Sequence, residues 1–157
     1  MPILPPNLIQ QLMTSADHRS VHVPVMPREV LQWLQLTPGL TVLDGTVGAA
    51  GHSQLILKSL GDTGQLIGLD RDPMMLAIAG QKLQHEQYIN YQLIRSSYAE
   101  ANSVLRQLDI CGVDRVVLDL GLSSDQLSDR QRGFGFDAGG PLDMRYDSHE
   151  GRPAAEI

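Results

Sequence analysis

The chain has 157 residues, 42% of them hydrophobic and only 4% aromatic, which suits one domain whose core is filled by aliphatic side chains. Its formal net charge of −6 argues against a surface that holds nucleic acid unaided, because basic side chains supply most of that affinity. No apolar run approaches the ~20 residues that span a bilayer, and Cys111, the single cysteine, cannot close an internal disulfide, so a cytoplasmic setting away from membranes is expected.

Residues 1–20, with Pro2, Pro5, Pro6 and Asn7, lack a basic start followed by a long apolar stretch. They read as a loose arm holding at most one helical turn, not as a secretory signal, with the domain following over residues 21–157. Pro27 opens a helix that carries Val30, Trp33 and Leu34 at helical spacing and stops at Pro38-Gly39. Leu40-Thr41-Val42-Leu43 is a short buried strand that runs into Gly45, Gly48 and Gly51 and then a helix with Leu55, Ile56 and Leu60. After the turn Gly61–Gly64 comes a second strand from Gln65 to Leu69, ending at Asp70. Asp72 caps the next helix, Pro73 occupies its first position, and Met75, Ile78, Ala79 and Leu83 form its apolar stripe. A third strand covers Tyr91–Ile94; Ala101, Val104, Leu105 and Leu108 mark a helix face; Arg115–Leu118 is the fourth strand, ending at Asp119. Cys111, between Ile110 and Gly112, reads as an inert thiol at a helix end, without charges to lower its pKa. Strands alternating with helices imply an α/β, doubly wound parallel sheet in the order 3-2-1-4. Beyond Leu120 the periodicity stops. Residues 121–152 show no helix or strand pattern, yet Phe134, Phe136, Leu142 and Met144 argue for an ordered loop over a site more than a solvated tail.

In such a sheet ligands bind past the carboxyl ends of the strands, where strand order reverses. Four features converge there. The turn from Asp44 to His52 lets the backbone approach a ligand closely and leads into a helix amino terminus with free N–H groups. Its glycines at 45, 48 and 51 fit neither the dinucleotide fingerprint nor a P-loop. Asp70 can accept both hydroxyls of a ribose and, with Asp72 as the better cap, is left free to do so. Tyr98 can stack on an adenine or simply fill the core. Asp119, opening Asp119–Leu127, can hold an amine or a sulfonium, or be part of a turn that favours Ser and Asp. Together these are the parts of an adenosine-containing cofactor site. By themselves they do not separate a methyl donor from a nicotinamide.

His22-Val23-Pro24-Val25, the Asp44–His52 turn, Ile67-Gly68-Leu69-Asp70-Arg71-Asp72-Pro73, the Asp119–Leu127 stretch, Arg132-Gly133-Phe134-Gly135-Phe136 and Gly140-Pro141-Leu142-Asp143-Met144-Arg145 occur in that order, from about His22 to Ile157. This series resembles the RsmH (MraW) family of ribosomal-RNA small-subunit methyltransferases. The resemblance implies a Rossmann-like class I methyltransferase sheet and S-adenosyl-L-methionine as cofactor, with no metal. It also implies 16S rRNA or the small ribosomal subunit as partner, and methyl transfer to the N4 amine of a cytidine. It carries cofactor contacts to Ala50, Gly51, His52, Asp70, Tyr98, Asp119 and Gln126. Three departures stand out: the family has glycine at Ala50, often phenylalanine at Tyr98, and commonly serine at Gly135. A methyl group at Ala50 crowds the ligand unless the loop keeps φ negative there. Asp119 is the residue expected to orient the reacting amine. Asp143 and Arg145 either position RNA or pair with each other to brace the loop. Family members are considerably longer, so the chain reads as truncated after about four strands. The outer edge of the fourth strand is then left unpaired, which invites self-association. The alternative is a remnant that binds cofactor without catalysing transfer.

Overall fold

In the computed structural model, residues 24–136 and 139–157 are described. The expected amino-terminal arm, and His22 and Val23 of the first family motif, lie outside them. The chain divides into two compact units, one running to Asp119 and one from Leu120 to Ile157.

The first unit is built on four parallel strands: β1 (Thr41–Asp44), β2 (Gln65–Asp70), β3 (Tyr91–Arg95) and β4 (Arg115–Val117), in the order β3-β2-β1-β4. The expected 3-2-1-4 order is therefore the observed one. Between the strands run α1 (Pro27–Leu34), α2 (Gly51–Leu60), α3 (Pro73–His85) and α4 (Ala101–Gln107). Successive side chains of a strand point to opposite faces, and both faces of β1 and β2 are covered. Val42 and Leu66 pack with Leu34, Ile56, Leu57, Leu60, Ala79 and Leu83 from α1, α2 and α3. Their neighbours Leu43, Ile67 and Leu69 pack with Val104 and Leu105 from α4. This two-sided burial explains why β1 and β2 read as continuous aliphatic runs with no polar alternation.

Local chemistry accounts for most boundaries. Asp72 caps α3 by accepting from the Met74 N–H at 2.9 Å, with Pro73 at the first helical position. The buried side of α3 is wider than its predicted stripe: Leu76 and Ala77 are buried beside Met75, Ala79 and Leu83, while Ile78 is only half-buried. Helix α1 stops at Leu34 instead of running to Pro38-Gly39. Gln35 turns left-handed (φ 47°) and its N–H returns to the Leu31 carbonyl. Trp33, expected on the apolar stripe, is 81% exposed. Strand β4 ends at Val117, one residue earlier than expected.

The second unit corrects the reading of residues 121–152 as patternless. Ser123 and Gln126 form a capping box at the start of a one-turn helix, α5 (Ser124–Ser128). A 3-10 turn at Arg130–Arg132 follows, and another at Ala154–Glu156 ends the chain. One turn is too short to show a hydrophobic period, so only the cap could have disclosed α5. The unit is organised by buried polar groups more than by apolar ones. The Arg132 guanidinium donates to the carbonyls of Arg145 (3.3 Å) and Tyr146 (2.7 Å). Phe134 lies against Tyr146 with ring centroids 5.8 Å apart. Phe136, Leu142 and Met144, expected to help order this segment as apolar residues, are exposed.

Gly133 ends the Arg130–Arg132 turn at φ +69°, and a Cβ there would collide with the Pro141 carbonyl oxygen. Gly133→Ala combines left-handed strain with a backbone clash, and should cost at least ~2 kcal/mol locally. The readout is amide exchange of Met144, whose N–H donates to the Arg132 carbonyl: its protection should fall at least tenfold, by roughly that energy. Unchanged protection would refute the packing argument.

Candidate functional site: the strand-end crevice of the first unit

Asp44, at the carboxyl end of β1, is paired in register to Gly68 and to Val117, the last residue of β4, while β2 runs on to Asp70. Three acids, Asp44, Asp70 and Asp119, mark those ends, and the turn from Gly45 to Ala50 ties them together.

Asp44 is 1% exposed. Its Oδ1 accepts the Thr46 N–H at 3.1 Å and its Oδ2 accepts the Ser53 hydroxyl of α2 at 2.6 Å. Burial pushes the Asp44 carboxyl up to about 6; the hydrogen bonds from Ser53 and Thr46 and the proximity of His52 pull against that, and the charge of Asp70 adds to it. Asp70 is not left free, as the sequence implied. Its Oδ2 accepts the Gly48 N–H at 2.8 Å and its Oδ1 accepts the Asp72 N–H at 2.9 Å. Burial raises its carboxyl above the ordinary value, while these N–H groups oppose the rise. A carboxylate has about four lone-pair sites, so Asp70, with the N–H groups of Asp72, Gly48 and Arg71 directed at it, keeps capacity for a further donor. Gly48 itself has φ +51° and nothing within 4 Å of where a Cβ would stand, so the loop is open on that side.

Ala50 departs from the sequence-based condition. Its φ is +59°, not negative, and it is fully buried as the residue preceding α2. An L-residue pays roughly 1–2 kcal/mol in this region. The methyl group joins the core cluster with Val47, Ile56 and Leu57, which returns about 0.8 kcal/mol. Gly51 and His52 begin α2, where the first N–H groups lack intrahelical acceptors. His52 is 9% exposed, and its Nε2 stands 3.5 Å from Oδ2 of Asp119. The Asp119 N–H in turn donates to the Thr46 hydroxyl at 2.7 Å. Tyr98, in the 3-10 turn after β3, is 47% exposed, which removes the option that it fills the core.

The first unit thus brings together Ala50, Gly51, His52, Asp70 and Asp119 around the strand ends, with Tyr98 just past β3. Gln126, Asp143 and Arg145 belong to the second unit. Gln126 is buried there, with its Oε1 accepting the Ser123 N–H at 2.9 Å. Arg145 grips Asp143 through both carboxylate oxygens, at 2.8 and 2.6 Å, and spends a third donor on the Gly151 carbonyl at 3.0 Å. Those bonds hold the Asp143 carboxyl down at about 2. Of the two readings, the geometry is that of a loop brace. Sequence reasoning passed over Asp44 and Thr46 as separate contributors. The only available signal was the Asx-type spacing of an acid two residues before a free N–H.

The Asp44 carboxyl generates a pH signature. Its value is raised on folding, so its contribution to stability is largest below about pH 4 and is lost as pH rises through about 6. About two units correspond to on the order of 3 kcal/mol. The difference in urea-unfolding free energy between the wild type and Asp44→Asn should therefore tilt against the wild type as pH climbs from 4 to 7. A difference that stays flat across that range would contradict this account.

The comparisons with known proteins agree with the fold and with the family that the sequence resembles. Residues 19–157 match the model of the MraW methylase family. A ribosomal RNA small subunit methyltransferase H from Nitrosospira multiformis is 46% identical over 135 residues, covering 86% of this chain and 42% of that protein. One from Syntrophotalea carbinolica is 45% identical over 137 residues, covering 87% and 43%. The chain thus spans about two fifths of the length of these relatives. Among solved structures, precorrin-6y C5,15-methyltransferase from Geobacter metallireducens has a TM-score of 0.53 at 22% identity, over 64% of this chain and 51% of that one. TrmN from Thermus thermophilus has a TM-score of 0.52 at 20% identity, over 69% and 30%. At these identities the structural likeness is one of fold: a Rossmann-like sheet shared with methyltransferases. With the family model matching nearly the whole chain, and relatives above 40% identity over most of it, the chain belongs to the MraW methylase family.

Proposed function

We propose that this chain forms the cofactor-binding portion of an S-adenosylmethionine-dependent methyltransferase. The proposed target is small-subunit ribosomal RNA, at the N4 amine of a cytidine, in the cytoplasm. The observation that carries the reading is the joining of the glycine turn to the second-strand acid, Gly48 N–H to Asp70 at 2.8 Å, beside an open loop face. Family membership and the names of the relatives supply the reaction class. Among the described residues no helix is long and apolar enough to cross a membrane.

In this reading Asp70 accepts the ribose hydroxyls, and Tyr98 offers a ring face to the adenine. The N–H groups around Ala50, Gly51 and His52 face the carboxylate end. Gln126, in the second unit, is a proposed cofactor contact on the family resemblance alone. The donor supplies an electrophilic methyl group on a positively charged sulfur. A cytosine amine is a weak nucleophile because its lone pair is delocalised into the ring. The protein's part is therefore alignment, with Asp119 both contacting the amine-bearing part of the donor and accepting the hydrogens of the cytidine amine. The base must be unstacked to reach the crevice. Asp143 and Arg145 shape the loop that bears on the RNA.

The net charge of −6 favours a second reading, in which the chain holds cofactor but does not itself engage RNA or turn over. Titration calorimetry with S-adenosylmethionine and with NAD discriminates among these. Binding of the methyl donor alone is expected, weakened at least ~10-fold in Asp70→Ala, where charge-assisted hydrogen bonds are lost. Preference for NAD would discard the methyltransferase reading. Cofactor binding without methylation of small-subunit RNA would favour the second reading.

The outer edge of β4 supports a proposal of self-association. Among the described residues strand β4 pairs only with β1, and Val116 and Leu118 are 51% and 45% exposed. An open groove of about 550 Å³ lies beside them, lined also by Met26, Val30 and Trp33. Sedimentation should show concentration-dependent dimers that Val116→Lys suppresses. A strict monomer at high concentration would rule this out.

A further inference from the structure

The Gly45 N–H donates to the Val117 carbonyl at 3.0 Å, the last regular rung between β1 and β4. In a continuing parallel ladder the next rung would run from the Asp119 N–H to the Gly45 carbonyl. Instead that N–H goes to the Thr46 hydroxyl at 2.7 Å. A side chain has taken the place of a main-chain acceptor, and the chain following β4 does not continue the ladder at this residue. Thr46 is itself fixed from below. Its N–H is held by the buried Asp44, which the Ser53 hydroxyl holds in turn from α2. A continuous run of three hydrogen bonds therefore links the interior of α2 to the backbone of Asp119, whose carboxylate stands 3.5 Å from His52 Nε2.

We propose that Thr46 is a positioning residue: its hydroxyl turns Asp119 out of the ladder and sets the carboxylate beside His52, where it meets the amine-bearing part of the methyl donor. The inference rests on the cofactor reading above. Asp119 is 43% exposed at its side chain and projects from a strand end. The Asp119 N–H bond to Thr46 is the contact by which the turn after β1 sets its direction. Serine retains the hydroxyl at this position, whereas valine keeps the shape and removes the acceptor.

The test is a calorimetric cycle with S-adenosylmethionine on the whole chain, using Thr46→Val, Thr46→Ser, Asp119→Asn and the Thr46→Val/Asp119→Asn double variant. Thr46→Val is expected to weaken binding by about 5- to 10-fold, the range of one hydrogen bond, with Thr46→Ser within about twofold of wild type. In the Asp119→Asn background the Thr46→Val change should add less than about twofold, because the group it positions has already lost its charge. A ligand-free readout accompanies it. Amide exchange at Asp119 should accelerate at least ~10-fold in Thr46→Val but not in Thr46→Ser, with the protection of β1 unchanged. Full additivity in the double variant, or wild-type affinity in Thr46→Val, overturns the inference and leaves the cofactor reading intact. A wild-type chain that binds no S-adenosylmethionine overturns both.

Discussion

A carboxylate withdrawn from water must find its hydrogen bonds in the protein, and the turn after β1 is shaped around that demand. Asp44 ends β1, one of the two inner strands of the sheet and covered on both faces, with 1% of its surface exposed. The donors it recruits are the Thr46 N–H two residues on and the Ser53 hydroxyl in the first turn of α2. Those two bonds fix where the turn begins and how α2 enters. The Gly48 N–H can then meet Asp70, and the Val47 N–H the Leu69 carbonyl, across to β2. The crevice geometry follows from satisfying one buried charge, because leaving it unpaired would cost far more than the strain the turn accepts.

That strain is visible at Ala50. A left-handed alanine is costly, and glycine is the usual solution. Here the methyl group is absorbed into the core cluster that also holds Val47 and Ile56, so burial offsets part of the backbone penalty. The crevice also gathers acids. Burial raises the Asp44 carboxyl and the charge of Asp70 adds to the rise, while Asp119 stands beside His52. Such a site favours a ligand that carries positive charge close to hydrogen-bonding hydroxyls, and disfavours phosphates.

The parts of the fold that were legible in the sequence are those governed by burial and by strong local punctuation. The aliphatic runs at Val42-Leu43 and Leu66-Ile67 announced strands buried on both faces, and Asp72-Pro73 announced a helix start. What escaped depended on partners distant in sequence or on segments too short for periodicity. The engagement of Asp70 needed the Gly48 N–H, 22 residues away. The sign of φ at Ala50 was set by packing, not by residue type. Helix α5 has five residues and shows itself only through its capping box. The apolar residues of the second unit misled because Phe136 and Leu142 point outward, while Arg132 does the organising from within. The pairing of Asp143 with Arg145 was legible as one of two options, and the fork geometry shows that the pair forms.

Trp33 is the single tryptophan of the chain, and it stands 81% exposed at the groove beside β4. Its indole is bathed in water, so its emission should peak far to the red. Any segment or protein that covers this edge would dehydrate the ring and move the emission to shorter wavelength. The molecule therefore carries its own optical reporter at the border where its sheet stops.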